Sequence, residues 1–296
     1  MNTPNFFILG AAKAGTTTLY DILKQHPQVF LSYDKEPMFF SRDDYYQKGA
    51  DWYSKIYFPK SKDFYVRGEA TPHYLYWAEK VSNRIRNVYK DKSIKFIIIL
   101  RDPIQRAYSW YWNMIADGKE ELSFVDALKN EEYRIKSNWD KLKYYGSMQY
   151  GYFRGGCYTE QIQYFLDDFP KTNFLFLLQE DLIQDQKSAS KTIFNFLGID
   201  ADTILPPIKS NPASMPRNRV LQKIIKNRSR WKNALKPYIP TAYLFKFKAL
   251  LLGLNKQRFY YPSMDLEARN HLKEKYSLQT HRLSEIIERD LSQWSK

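Results

Sequence analysis

The stretch Phe6-Phe7-Ile8-Leu9-Gly10-Ala11-Ala12-Lys13-Ala14-Gly15-Thr16-Thr17-Thr18-Leu19 passes from an apolar run, through a glycine-bounded loop, into hydroxyl residues and a helical pattern. That order predicts a strand, a phosphate-cradling loop and a helix N-terminus at the start of the sequence. The first backbone N–H groups of a helix have no intrahelical partner, and the helix dipole adds partial positive charge beside them, so such an end is an anion site. Gly15 lets the backbone approach an anion closely. The backbone at Ala14 and Gly15 and the hydroxyls of Thr16, Thr17 and Thr18 supply donors. Lys13 adds a full charge where a leaving oxygen could develop one. A merely capped turn needs neither the second glycine nor the lysine. The loop also departs from the nucleotide-triphosphatase pattern G-x-x-x-x-G-K-[ST]. Gly10 and Gly15 have the right spacing, but Thr16 stands in the lysine position and the lysine has moved into the loop.

A second segment is informative beside the first. Lys95-Phe96-Ile97-Ile98-Ile99-Leu100 reads as a parallel strand buried on both faces, followed by Arg101-Asp102-Pro103. Pro103 suits the first turn of a helix, and Ser109 follows Arg101 by two helical turns. Such a turn can bring the serine hydroxyl and the forked guanidinium to one phosphate. R-D-P by itself is a common loop sequence; paired with the first loop it carries weight.

Together the two segments resemble those of the sulfotransferases that use 3′-phosphoadenosine 5′-phosphosulfate (PAPS), most of all the heparan sulfate and related carbohydrate branch in its bacterial-type form. Further segments carry the resemblance along most of the chain. Lys35-Glu36-Pro37-Met38-Phe39-Phe40 resembles K-E-P-x-F-F, and Gly49-Ala50-Asp51-Trp52-Tyr53 resembles G-x-x-W-Y. Gly68-Glu69-Ala70-Thr71-Pro72-His73-Tyr74 resembles G-E-x-[ST]-P-x-Y, and Tyr261-Pro262-Ser263-Met264-Asp265 resembles Y-P-x-M-D. The resemblance implies Glu36 as catalytic base and Lys13 on the leaving phosphate oxygen. It implies Lys13 to Thr18 around the 5′-phosphosulfate and Arg101 with Ser109 on the 3′-phosphate. Tyr158, Lys256 and Arg258 are further candidates for donor contacts, and Arg154 and Arg217 for donor or acceptor contacts. The spent donor would be adenosine 3′,5′-bisphosphate (PAP), and no metal is implied. His73 is a second acid/base candidate, because it follows a strand and can titrate near neutrality. The sequence departs from the family at three places. Met38 stands where a histidine is frequent, Ala70 where the heparan enzymes have a lysine, and Lys256-Gln257-Arg258 where they have K-G-R.

Charge is concentrated in one segment. Of the 46 basic residues, 13 lie between Thr203 and Met264, where there is no Asp or Glu, leaving 33 basic against 32 acidic residues in the rest of the chain. A block of this kind faces an anion: donor phosphates, an acidic polymer or a lipid surface. Cys157 is the single cysteine, so no intrachain disulfide can form, and four histidines give no cluster at metal-ligand spacing. No apolar run reaches the roughly 18 residues of a membrane span. Met1 to Asn5 is too short and uncharged for a signal peptide, so a soluble cytoplasmic protein is expected, with peripheral membrane contact through 217–254 left open.

The alternation of apolar strands with helical patterns predicts a single α/β domain: a P-loop-like parallel sheet flanked by helices, with ligands at the strand C-terminal ends. Strands are expected at 6–9, 29–32, 64–68, 95–100 and 173–178, and helices at 17–25, 78–90, 104–116, 124–136 and 159–168. Residues 203–264 read as a basic helical insertion or lid, with helices at 220–235 and 243–254, before a last helix over 266–294. The expected reaction is sulfuryl transfer to a hydroxyl or amine of a carbohydrate, lipid headgroup or small natural product. Two alternatives stand beside it. A P-loop kinase lacks its Lys-Ser/Thr pair here and has no Asp after a strand to hold Mg²⁺. A non-enzymatic polyanion binder would use the basic segment, but no nucleic-acid motif is present and nucleic acid is not an expected partner.

Overall fold

Five short apolar segments lie side by side and run the same way. The computed structural model describes residues 3–90, 93–137, 146–208, 214–226 and 250–295. Strands β1 (Phe6–Gly10), β2 (Val29–Leu31), β3 (Val66–Ala70), β4 (Lys95–Leu100) and β5 (Phe174–Leu178) form a parallel sheet in the order β2-β3-β1-β4-β5. All of β1 and the last five residues of β4 are buried. Both faces of the central strands are therefore covered, which is why these strands are apolar throughout rather than alternating.

The period of two along each strand splits the core into two layers. Phe7 and Leu9 of β1 pack with Phe96 and Ile98 of β4 on one face, against Val81 and Ile85 of α4 (Ala78–Val88) and Phe165 of α8 (Tyr158–Asp168). Phe6, Ile8, Ile97 and Ile99 face the other layer, formed by Leu19, Ile22 and Leu23 of α1 (Thr16–Gln25) and Ile193, Phe194 and Leu197 of α10 (Gln186–Leu197). A third cluster joins α5 (Pro103–Ala116) and α6 (Phe124–Lys129) to Leu272 and Tyr276 of the last helix, α12 (Leu266–Ile287). Asp102 caps α5 by accepting a hydrogen bond from Ile104 N at 2.8 Å, with Pro103 in the first turn.

The chain leaves β1 towards β2 and β3, then crosses to β4 on its other side. That change of direction opens a crevice beyond the C-terminal ends of β1 and β4, where the first loop and Arg101 lie.

The expected elements hold with local differences. Strand β3 lies two residues later than predicted, because Glu69 and Ala70 are buried in the sheet. The helix expected over 124–136 divides at Asn130 into α6 and α7 (Glu131–Ser137). The last helix stops at Ile287, where Glu288 takes a left-handed conformation (φ 54°), and Ser292–Ser295 form a separate 3₁₀ turn. The basic segment is not purely helical. It contains an antiparallel ribbon of β6 (Ser214–Pro216) and β7 (Lys256–Arg258), followed after β6 by α11 (Arg219–Lys226). Asn255 clasps the ribbon: its carbonyl accepts from Arg217 N at 2.7 Å and its side chain pairs with the Asn218 backbone. The helices expected at 220–235 and 243–254 fall largely outside the described residues. No helix of the described residues is long and apolar enough to cross a membrane.

Glu69 and Glu131 are among the carboxylates buried beneath this framework. The Glu131 carboxylate accepts from the backbone N–H groups of Phe153 (2.7 Å) and Arg154 (2.8 Å). Burial nevertheless pushes both groups up from 4.5 to about 7. Between those values the folded chain holds protons that the unfolded chain has released. The stability they contribute is therefore fully present below about pH 4.5 and is lost as pH rises through about 7, by about 3 kcal/mol for each group. Urea denaturation is expected to give a lower midpoint at about pH 8 than at about pH 5.5, with a smaller difference in Glu69→Gln. A midpoint that rises over this interval would contradict the assignment.

Candidate active site

The first loop is held by its own backbone. Ala11 N donates to Ile99 O at 2.7 Å and Ala14 N to Ala11 O at 3.1 Å. Gly10 admits no side chain: a Cβ there would lie 2.7 Å from the Leu75 Cβ and 3.0 Å from the Pro72 carbonyl. Gly15 precedes α1 in a left-handed conformation (φ 101°), which a residue with a Cβ rarely adopts. Helix α1 has no side-chain cap and no acidic residue in its first turn. Its N-terminal N–H groups and the hydroxyls of Thr16, Thr17 and Thr18 are thus left for an anion. Ala14 is fully buried under the loop, so its contribution is its backbone.

Two cations stand beside this helix end. Lys13, itself left-handed (φ 73°), donates from Nζ to Asn113 Oδ1 of α5 at 3.2 Å. Arg101, just beyond β4, donates from Nη1 to the Lys13 carbonyl at 3.3 Å. Burial first, and the neighbouring Arg101 second, hold the Lys13 pKa below the ordinary lysine value. Cations whose hydrogen-bond acceptors among the described residues are a neutral amide and a carbonyl, beside an uncapped helix start, make a seat for a dianion, and the phosphates of a doubly phosphorylated nucleotide fit it chemically. Ser109 lies on the same side, its hydroxyl 3.1 Å from the Tyr261 hydroxyl.

Glu36 lines the same cleft. Its backbone is left-handed (φ 64°) and its N–H donates to Ala70 O at 3.2 Å. The carboxylate lies 3.7 Å from His73 Nδ1, and its side chain is 29% exposed, enough to reach a ligand. His73 is buried, and burial lowers its pKa despite Glu36, so the imidazole is neutral at physiological pH. Lys35 reaches away from Glu36 to donate to Thr17 Oγ1 at 2.7 Å, tying the base loop to the anion loop. Its own pKa is lowered by burial, with Glu36 opposing.

These groups share one cleft of about 450 Å³, lined by Lys13, Gly15, Thr16, Thr17, Thr18, Glu36, His73, Arg101 and Ser109. Other proposed residues lie elsewhere. Tyr158 is buried behind the wall and donates its hydroxyl to the Arg101 carbonyl at 3.1 Å, supporting the arginine rather than facing the cleft. Lys256 and Arg258 are exposed on β7, with the Arg258 guanidinium 5.9 Å from the Tyr260 ring. The ribbon meets the cleft through Ser214 and Met215 instead. Arg154 lines separate hollows with Cys157 and Glu160, and Arg217 is exposed. His26 is a helix-end residue, its ring bonded to the Asp200 carbonyl and the Gln28 N–H.

Several wall residues were not predicted: Trp110, Trp112, Asn113, Gln179 and Tyr261. Asn113 follows Ser109 by one helical turn and so shares its face, a signal present in the spacing. Gln179 opens α9 (Gln179–Gln184) directly after β5, where the strand-end rule also points. No chemical pattern marks Trp112 or Met215.

Comparison with known proteins agrees with this geometry. The description "Sulfotransferase domain" is the family that matches residues 3–291. Human heparan sulfate glucosamine 3-O-sulfotransferase 3B1 is 30% identical over 198 residues, covering 66% of this chain and 46% of that protein. Mouse heparan sulfate glucosamine 3-O-sulfotransferase 5 is 31% identical over 196 residues, covering 66% and 54%. The chain thus spans about half the length of the curated relatives it matches. The crystal structure of a sulfotransferase from Alicyclobacillus acidocaldarius shares the fold, with a TM-score of 0.72 at 24% identity over 99% of each chain. With the family matched from end to end and the motifs that carry it gathered on one cleft, the chain belongs to the sulfotransferase domain family.

Proposed function

We propose that this chain transfers a sulfuryl group from PAPS to a hydroxyl or amine of a carbohydrate-type acceptor, with Glu36 as general base. The observation that carries the reading is the gathering of Lys13, Arg101, the uncapped start of α1 and the Glu36 carboxylate in one cleft. The acceptor oxygen or nitrogen forms a bond to sulfur as the bond from sulfur to the bridging phosphate oxygen breaks, and PAP leaves. By analogy with phosphoryl transfer the transition state is loose, so positioning and charge do most of the catalysis. Glu36 takes the acceptor proton, and the neutral His73 beside it orients that carboxylate. Lys13 stabilises charge on the departing oxygen in this reading. Thr16, Thr17 and Thr18 serve the 5′-phosphate, and Arg101 with Ser109 serves the 3′-phosphate.

The carbohydrate class rests on the relatives, whose names specify heparan sulfate glucosamine. Radiolabelled PAPS incubated with the chain and heparan sulfate fragments is expected to label the polysaccharide. Label found only as free sulfate, with PAP still bound, would overturn the acceptor class while leaving the donor.

A further inference from the structure

The reaction above gives no part to Lys35, the residue before Glu36. Residues 32–40 form a strap that carries both, and its backbone is fastened at several points. Ser32 N donates to Gly68 O at 2.9 Å, Tyr33 N to Tyr57 O of α3 (Gly49–Tyr57) at 2.9 Å and Glu36 N to Ala70 O at 3.2 Å. Met38 N donates to Thr71 Oγ1 at 3.3 Å and Phe40 N to Tyr74 Oη at 3.1 Å. The Lys35 side chain turns instead to α1. Its ammonium donates to Thr17 Oγ1 at 2.7 Å and lies 5.7 Å from the centre of the Tyr20 ring. Thr17 and Tyr20 are three residues apart and so share one face of that helix.

The bond between Lys35 and Thr17 has a direction. An ammonium has protons to give and no lone pair, so the Thr17 oxygen accepts and keeps its own proton for another partner. Among the described residues Lys35 is the one hydrogen-bond partner of this hydroxyl, and Thr17 lines the cleft beside Lys13 and Arg101. An anion in the cleft is the acceptor that this proton lacks. Hydrogen bonds in series polarise one another, so the ammonium makes Thr17 a stronger donor than a hydroxyl standing alone. The strap has a use for the same contact. Glu36 (φ 64°) and Met38 (φ 57°) are both left-handed without being glycine, a conformation that persists only when its surroundings over-determine it.

We propose that Lys35 couples the donor to the base: its ammonium turns the Thr17 proton towards the donor's 5′-phosphate, and a donor held by Thr17 in turn holds Lys35 and the strap that presents Glu36. Lys35 is thus a positioning residue that acts through Thr17. Its role rests on the reading of the cleft as a donor seat and of Glu36 as base. The coupling is reciprocal, since whatever affinity the donor gains from an ordered strap, the strap gains in order from the donor.

The test is a double-mutant cycle on the full chain, Lys35→Met and Thr17→Val singly and together. It is read by calorimetric titration with PAP and by amide hydrogen exchange with and without saturating PAP. Lys35→Met is expected to weaken PAP binding about tenfold when Thr17 is present, and by less than about twofold in the Thr17→Val background. In the wild type, PAP slows exchange of the Glu36, Met38 and Phe40 amides about tenfold or more. In Lys35→Met, PAP still slows exchange in the loop 10–18 but no longer in the strap. Equal losses of PAP affinity in both backgrounds would show that the ammonium meets the donor directly or acts only through its charge, and would overturn the proposal. Protection of the strap by PAP that persists in Lys35→Met overturns it as well. If Lys35→Met fails to fold, Thr17→Val alone decides. It is expected to abolish the protection of the strap by PAP while the loop keeps its own, and retained strap protection overturns the proposal. A wild-type chain that does not bind PAP would refute the donor seat and the proposal together, whereas PAP binding with an additive cycle refutes the role of Lys35 alone. Full turnover in Glu36→Gln, with the cycle still coupled, would refute the base and with it the link from donor to base, while the contact through Thr17 stands.

Discussion

Replacing Glu36 by Gln is expected to lower turnover by about three orders of magnitude while PAP affinity changes by less than about twofold. The substitution keeps the shape of the side chain and removes only its capacity to take a proton. Glu36 shares the cleft with the donor-binding groups, but its own described contacts are His73, at 3.7 Å, and the backbone of Ala70. The donor seat on α1 and beyond β4 is therefore left intact. A neutral, buried His73 is the alternative base within reach, so the comparison with His73→Asn is informative. If the histidine only orients the carboxylate, its loss costs about tenfold, well short of the Glu36 effect. Glu36→Gln retaining more than about a tenth of wild-type turnover, with His73→Asn inactive, would transfer the role to the histidine.

Arg101→Ala is expected to weaken PAP binding about 100-fold, and binding of the same nucleotide without its 3′-phosphate by less than about threefold. The guanidinium is a forked donor set whose described partner in the protein is a single carbonyl, at 3.3 Å. Two charge-assisted hydrogen bonds to a phosphate, at about 1.5–3 kcal/mol each, are lost only when that phosphate is present. Ser109→Ala removes one neutral hydroxyl and is expected to cost about fivefold. Calorimetric titration of the two nucleotides against each variant separates these effects. Equal losses for both nucleotides in Arg101→Ala would show that the arginine holds the loop through the Lys13 carbonyl rather than the 3′-phosphate.

Much of this framework was legible because it is local. The apolar strand, the Gly10 and Gly15 spacing and the hydroxyl run announce a strand, loop and helix whose backbone geometry depends on neighbours in sequence. The R-D-P segment is similar, with Pro103 and the Asp102 cap setting the start of α5. The misplaced boundary of β3 has a physical cause. Val-Arg-Gly-Glu-Ala carries a buried carboxylate and a glycine against which the Phe6 ring packs, and hydrophobic patterning cannot show that a Glu will be met by a tyrosine from another element. Lys256 and Arg258, candidates through their likeness to a K-G-R loop, stand exposed on β7. Their pairing with Ser214–Pro216 is long-range and antiparallel, written in no local pattern, and it presents Ser214 and Met215 to the cleft instead. Tyr158, a candidate for a donor contact, is buried and donates its hydroxyl to the Arg101 carbonyl, a partner distant in sequence that no local pattern announces.

The central claim is that the first loop and Arg101 form a seat for a 3′,5′-bisphosphorylated adenosine. Calorimetric titration of the full chain with PAP and with ATP, both without added metal, tests it most directly. Binding of PAP at least about 100-fold tighter than ATP is expected, because the seat has a cationic site for the 3′-phosphate that ATP does not fill. ATP binding as tightly as PAP, or neither nucleotide binding, would contradict the assignment of the seat and reopen the reading of the chain as a kinase or a polyanion binder.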